Sequence, residues 1–282
     1  PFYTAATGLN LFARGEYSDA VVYWNDSQQR WTVLGGLVFT SVKPFADPAG
    51  RPAVFARDGQ GQLYFRRATS LIPNGPVSWT AWYRLPLLLT TQPQVQAGKR
   101  QIEAVALGAD GYYYHLRSSD MLIWRKTRLP VLKTASQTFA YLANGTQQYV
   151  LAQTLKGEFE LSAGDEKGNW SPWTPVNGPD GQGGLTALIM GHNTLLAYYR
   201  NRPDGRLYLA TGMLGGTSRK PTLKWTSIED EGPEFQGTPA LLKTAAGQLV
   251  VATMSRTGKS IWTQIDAVEQ RIKGPFASVP AL

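Results

Sequence analysis

The chain has 282 residues, 43% of them hydrophobic, enough to fill a substantial core and too many for a disordered polymer. It contains no cysteine, which excludes a disulfide framework, a thiolate metal site and a cysteine nucleophile. The formal net charge of +8 comes from 28 Lys and Arg against 20 Asp and Glu, with tight basic pairs at Arg66-Arg67, Lys99-Arg100 and Arg219-Lys220. Such a field attracts nucleic acid, anionic glycans or acidic surfaces, and dispersed solvent-facing charge is its plainer account.

With 29 Gly, 18 Pro, 9 Trp and 13 Tyr and no long helical period, the composition favours short strands joined by tight turns, an all-β protein. The longest apolar run, Leu85 to Leu89, is interrupted by Pro86 and too short to span a bilayer. The sequence opens on Pro1 without a charged-then-apolar leader, as expected of a mature secreted product or an excised domain.

Taken in order, the predicted strands repeat. Leu9 to Arg14, Asp19 to Trp24 and Trp31 to Leu34 form the first set. The second is Val42 to Asp47, Arg51 to Arg57, Gly61 to Arg67 and Trp82 to Leu85. The third is Pro93 to Gly98, Gln101 to Leu107, Asp110 to Arg117 and Lys126 to Leu129, with Trp124 just ahead. The fourth is Phe139 to Gly145, Gln148 to Thr154, Lys156 to Leu161 and Trp173 to Val176. The fifth is Leu185 to Gly191, Thr194 to Arg200, Asp204 to Ala210 and Trp225 to Ile228. The sixth is Thr238 to Gly247, Gln248 to Met254, Thr257 to Ile265 and Glu269 to Ile272.

In each set an apolar strand, a Gly- or Asp-bearing turn and an aromatic-rich strand read as a hairpin, because Asp-Gly and Gly-X tolerate the positive φ of primed turns. The Trp register at 31, 82, 126, 173, 225 and 269 is spaced by 51, 44, 47, 52 and 44 residues. Four strands in about 47 residues is the blade of a β-propeller. The expected fold is a single six-bladed domain over 1–282, with seven blades as the alternative. The expected blades cover 1–36 with 275–282, 40–86, 93–130, 138–177, 185–230 and 237–274. Ala277 to Leu282 is similar to Thr238 to Leu242, and pairing of N- and C-terminal strands is expected to close the ring.

The segment VFARDGQGQLYFRR (Val54 to Arg67) followed by SWTAWYRL (Ser78 to Leu85), with TVLGG (Thr32 to Gly36) after Trp31, resembles the repeat of PLL-like bacterial and fungal β-propeller lectins. That repeat is approximately a VFAR-type strand, a DG-L-[YW] hairpin and W-S-x-W-x-x-L-G-G. The resemblance spans nearly the whole chain. It is close in the second set and at Asn169 to Thr174, partial in the first, and degenerate in the third and sixth. Only the second and fourth sets keep both Trp residues, and the closing Gly-Gly is complete only at Gly35-Gly36. The resemblance implies a multivalent, metal- and cofactor-independent binder of simple sugars, often of fucose or galactose type, with shallow pockets between adjacent blades. The degeneracy implies few or unequal sites.

A pyranose has an apolar C–H face for an aromatic ring and hydroxyls for fixed donors and acceptors. The candidate ligand-binding residues are therefore Trp79, Trp82, Trp170 and Trp173 for faces, and Arg57, Arg66, Arg117 and Arg200 for donors. A Trp at a fixed blade position also serves as packing between sheets. His115 and His192 stand in different sets without ligand spacing, so neither a metal site nor a histidine triad is expected. A glycosidase needs two opposed carboxylates, and Asp58, Glu103, Asp110, Glu158 and Glu160 offer no recognisable pair. Gly258-Lys259-Ser260 lacks the earlier glycine of a phosphate loop, position 253 being Thr, and reads as a hairpin turn. Ser162 to Trp170 carries Asp165 and Gly168 without the spacing of a sialidase Asp-box. Sequons stand at Asn25, Asn144 and Asn169, which supports secretion if the source glycosylates.

The expected function is a secreted, lectin-like propeller whose partners are glycans or glycoconjugates. Two other readings stand beside it: docking of a protein or anionic polymer on a basic face, and a glycoside-active enzyme. Nucleic-acid binding and membrane insertion are not expected.

Overall fold

The computed structural model describes residues 2–4, 8–15, 18–25, 27–38, 42–70, 77–97, 101–132, 135–243, 249–255, 257, 260–266, 271–272 and 277–278. The chain forms two units, residues 1–129 and 130–282. In the first unit, β1 (Phe2–Thr4), β2 (Gly8–Arg14), β3 (Val21–Asn25) and β4 (Arg30–Gly35) make one antiparallel sheet in chain order. The second sheet runs β5 (Lys43–Ala46), β6 (Pro52–Arg57) and β7 (Gln62–Ser70), whose outer edge is shared by β8 (Ser78–Trp79) and β9 (Tyr83–Leu88). The third runs β10 (Gln94–Ala97), β11 (Ile102–Leu107), β12 (Tyr113–Ser118) and β13 (Arg125–Arg128).

The second unit begins with β14 (Ala135–Asn144), β15 (Gln147–Thr154), β16 (Phe159–Gly164) and β17 (Thr174–Val176), again in order. Its other sheet joins β18 (Thr186–Ile189), β19 (Thr194–Arg200), β20 (Arg206–Thr217), β21 (Lys220–Lys243), β22 (Leu249–Ser255), β23 (Ser260–Asp266) and β24 (Arg271–Ile272), with β25 (Ala277–Ser278) also on β23. A 3-10 turn, Gly191–Asn193, separates β18 from β19. The predicted hairpins are all present, from β2–β3 to β22–β23.

Three features add detail to the expected pattern. Between 230 and 237 the backbone is continuous strand: β21 runs through it, its first part paired with β20 up to Glu234 and its second with β22 from Phe235. Partners on successive stretches hold the backbone extended, and the fixed φ of Pro233 is compatible with an edge-type strand. The fourth strand of the second sheet is split, because residues 80–82 leave the ladder between β8 and β9. Ala277–Ser278 pairs with β23, and the first sheet takes Phe2–Thr4 as its own first strand. The short hairpin through Gly8 occupies that edge locally. Residues 279–282, Lys99-Arg100, Gly258-Lys259 and Glu269 lie outside the described residues.

The turns share one device. In Asp47–Arg51, Asp58–Gln62 and Asp165–Asn169 the aspartate Oδ1 accepts the N–H groups two and four residues on, and the fourth residue is a glycine at φ of +75°, +85° and +86°. Asp47 is buried and its Oδ2 also accepts from Arg51 Nε at 2.7 Å. Removing its carboxylate orphans two backbone donors. Asp47→Ala is therefore expected to cost about 1–2 kcal/mol in urea unfolding, and Asp47→Asn less.

Cores lie between successive sheets. In the first unit, Val21, Tyr23 and Leu34 meet Val54 and Ala56, while Phe55 and Phe65 meet Ala104, Ala106 and Leu116. In the second, Leu151, Phe159 and Leu161 meet Leu195, Ala197 and Tyr199. Alternation in strands buried on both sides explains why β6, β11 and β15 read as nearly unbroken apolar runs.

Candidate functional site

The first unit holds a cleft of about 610 Å³ between its first two sheets. Gly36, Leu37 and Val38 follow β4 along one side. The turn Arg57 to Gln60 and Tyr64 of β7 form the other, and Trp82, just ahead of β9, completes it. Trp82 is held from below: its Nε1 donates to Leu34 O at 3.0 Å, and its ring faces Gly36. With φ at +82° and the indole 3.2 Å from where a Cβ would stand, Gly36 leaves the room this approach requires. Arg66 stacks its guanidinium 5.9 Å from the Trp82 ring centroid, donates to Thr80 O at 2.6 Å, and also donates to Leu34 O. Arg66 is thus a support for the indole.

Arg57 stands at the end of β6 and donates through Nη1 to Leu89 O at 2.7 Å, while its buried Nε has no acceptor among the described residues. Burial lowers its pKa, opposed by Asp58. An arginine keeps its charge in proteins, so the partial burial is a desolvation cost that an acceptor in the cleft would offset. Asp58 Oδ1 is engaged by Gln60 N and Gln62 N, both at 2.9 Å. The cleft therefore offers an indole, a phenol, one cation, the exposed Gln60 amide and an apolar wall of Leu37, Val38 and Ala56. That mixture suits a small ligand with one apolar face and several hydroxyls.

Of the candidates from the sequence, the structure brings together Arg57 and Trp82, with Arg66 behind them. Trp79 lies elsewhere, in a ring cluster with Tyr23 at 4.8 Å and Phe12 at 5.9 Å. Trp170 packs its ring against Gly164. Trp173 is half-buried and donates from Nε1 to Pro130 O at 2.8 Å. Arg200 donates to Gln182 O at 2.7 Å, and Arg117 lies on β12 opposite Glu103 and Arg125. Tyr64, Gln60 and Leu37 do not stand out in the sequence. The repeated Leu-Tyr after the hairpin turn, seen again at Leu207-Tyr208, is the available signal for Tyr64.

The second unit has a smaller cleft of about 340 Å³, lined by Thr174, Asn177, Gly178, Thr222, Lys224 and Trp225 among others. Gly178 and Trp225 take the places of Gly36 and Trp82 in the repeat, and a Cβ at Gly178 would overlap the indole. Among the carboxylates, Asp110 accepts the Tyr114 hydroxyl at 2.6 Å, which holds it below the usual carboxylate range. Glu160 is raised by burial and by Glu158. No cluster of three or more potential metal ligands occurs among the described residues.

No protein-family model matches the chain, and no curated protein matches it in sequence. Solved structures do. AofleA from Arthrobotrys oligospora superposes with a TM-score of 0.66 at 10% identity, over 99% of this chain and 85% of that one. The BP39L lectin from Burkholderia pseudomallei gives 0.64 at 15% identity over 98% and 83%. The Aleuria aurantia lectin, described as a six-bladed β-propeller with a novel fucose recognition mode, gives 0.59 at 11% over 99% and 93%. A sialidase, NanB from Streptococcus pneumoniae as its K499G mutant, gives 0.52 at 14% over 86% of this chain and 44% of that one. At these identities the likeness is one of fold, and that fold is the β-propeller.

Proposed function

We propose that the chain is a single six-bladed propeller that binds carbohydrate non-covalently in clefts between successive sheets. The observation that carries this reading is the Arg57–Tyr64–Trp82 cleft, whose aromatic faces, lone cation and apolar wall match the surface of a pyranose. Its placement between sheets agrees with the β-propeller fold shared with two proteins described as lectins. Fucose is the first sugar to test, because recognition of fucose is described for the Aleuria aurantia protein. The Gly178–Trp225 cleft is the second, smaller site of the same kind.

A glycan array followed by calorimetry tests the proposal. The expected result is binding of a fucosylated or related simple sugar, weakened roughly tenfold to hundredfold in Arg57→Ala through loss of charge-assisted hydrogen bonds. Circular dichroism checks that the variant keeps its strands. Absence of binding by the unaltered chain to any mono- or oligosaccharide at millimolar concentration would overturn the reading.

A further inference from the structure

The turn between β12 and β13 holds two aliphatic side chains in solvent: Leu122 is 54% exposed and Ile123 72%. The turn is braced. Asp120 Oδ1 accepts from Leu122 N at 2.8 Å and Ile123 N at 2.9 Å. Ser118 Oγ donates to Ile123 O at 2.7 Å and accepts from Met121 N at 2.8 Å. Met121 is buried at φ +61°, so it anchors the turn from inside while its two successors point away from the core.

Directly after the turn comes Arg125-Lys126-Thr127-Arg128, the edge strand of its sheet, with all three cations exposed. Lys126 lies 5.1 Å from the Tyr114 ring centroid and Arg128 4.3 Å from that of Tyr112. No ion pair joins the three cations to a carboxylate among the described residues. Arg117 stands opposite Arg125 on one side and Glu103 on the other. Of the neighbouring acids, Asp120 is engaged in its turn, Asp110 accepts from Tyr114 and also feels the Arg128 charge, and buried Glu103 accepts from Gln101 at 2.7 Å.

Basic residues on an edge strand guard against strand pairing. That accounts for the charges and leaves the aliphatic pair unexplained. A polyanion alone would use the cations and have no use for Leu122 and Ile123. An anionic bilayer surface uses both, with phosphates for the cations and an interfacial apolar layer for two aliphatic side chains.

We propose that the braced Leu122–Ile123 turn and the β13 cations dock this protein on an anionic lipid surface. The inference is independent of carbohydrate binding. It is tested by co-sedimentation with phosphatidylcholine vesicles with and without about 30% phosphatidylserine. Expected is binding that requires the anionic lipid. The Leu122→Ser/Ile123→Ser double variant loses roughly a hundredfold in affinity, about tenfold per side chain. Arg125→Gln/Lys126→Gln/Arg128→Gln also loses roughly a hundredfold, about fivefold per charge. Fluorescence of Ile123→Trp is quenched by brominated acyl chains. No binding to anionic vesicles overturns the proposal. So does undiminished binding by the double Ser variant, and salt-sensitive heparin binding that needs only the cations would assign the strand to a polyanion instead.

Discussion

Replacing Gly36 by valine is expected to lower the unfolding free energy by about 2–6 kcal/mol and to abolish ligand binding at the first cleft. Two costs add. A β-branched residue at φ +82° is strained by about 1–3 kcal/mol. Its side chain also drives into the Trp82 indole, which cannot retreat without breaking the Nε1 bond to Leu34 O, an overpacking cost of about 1–3 kcal/mol. Gly35→Val is the matched control. Gly35 has φ +72° but nothing within 4 Å of where a Cβ would stand, so only the backbone cost is expected there. Urea denaturation and sugar titration of both variants check this, and equal losses would show that the indole is not wedged by Gly36.

The second large effect is on acid stability. His115 is fully buried in β12, and burial together with the Arg117 charge lowers its pKa to about 3. The unfolded chain binds this proton near the ordinary value of about 6.5. Above that pH both states are neutral and the group contributes no slope. Below it the unfolded state is protonated first, so stability falls as pH falls, by about 1.4 kcal/mol per unit, until the folded value near 3 is reached. Between pH 6.5 and 4 the loss is about 3 kcal/mol. His115→Gln removes this contribution, so the difference in urea midpoints between the two proteins should narrow or reverse on acidification. Parallel pH profiles would contradict the assignment.

The strand order is legible in the sequence because each hairpin is a local event. Asp58-Gly59-Gln60-Gly61 dictates a turn through one carboxylate and one positive-φ glycine, whatever lies around it. Local logic does not give β21: its backbone stays extended through Gly232-Pro233 because its successive parts pair with β20 and β22. At the site the limit is sharper. Trp79 and Trp82 belong to one motif and differ by three residues, yet one packs on Tyr23 and Phe12 while the other lines a cleft. The groups that separate their roles, Tyr23 and Gly36, come from the preceding sheet.

By itself the sequence determined the all-β class, the repeated four-strand period, the hairpin turns and the absence of cysteine chemistry, since these follow from residue type and near neighbours. Only the tertiary structure decided which indole is packing and which faces a cavity, that Arg66 supports Trp82 while Arg57 lines the cleft, and that Leu122 and Ile123 are held out beside a basic edge. Those are questions of burial, settled by side chains that adjoin in space after being far apart in the chain.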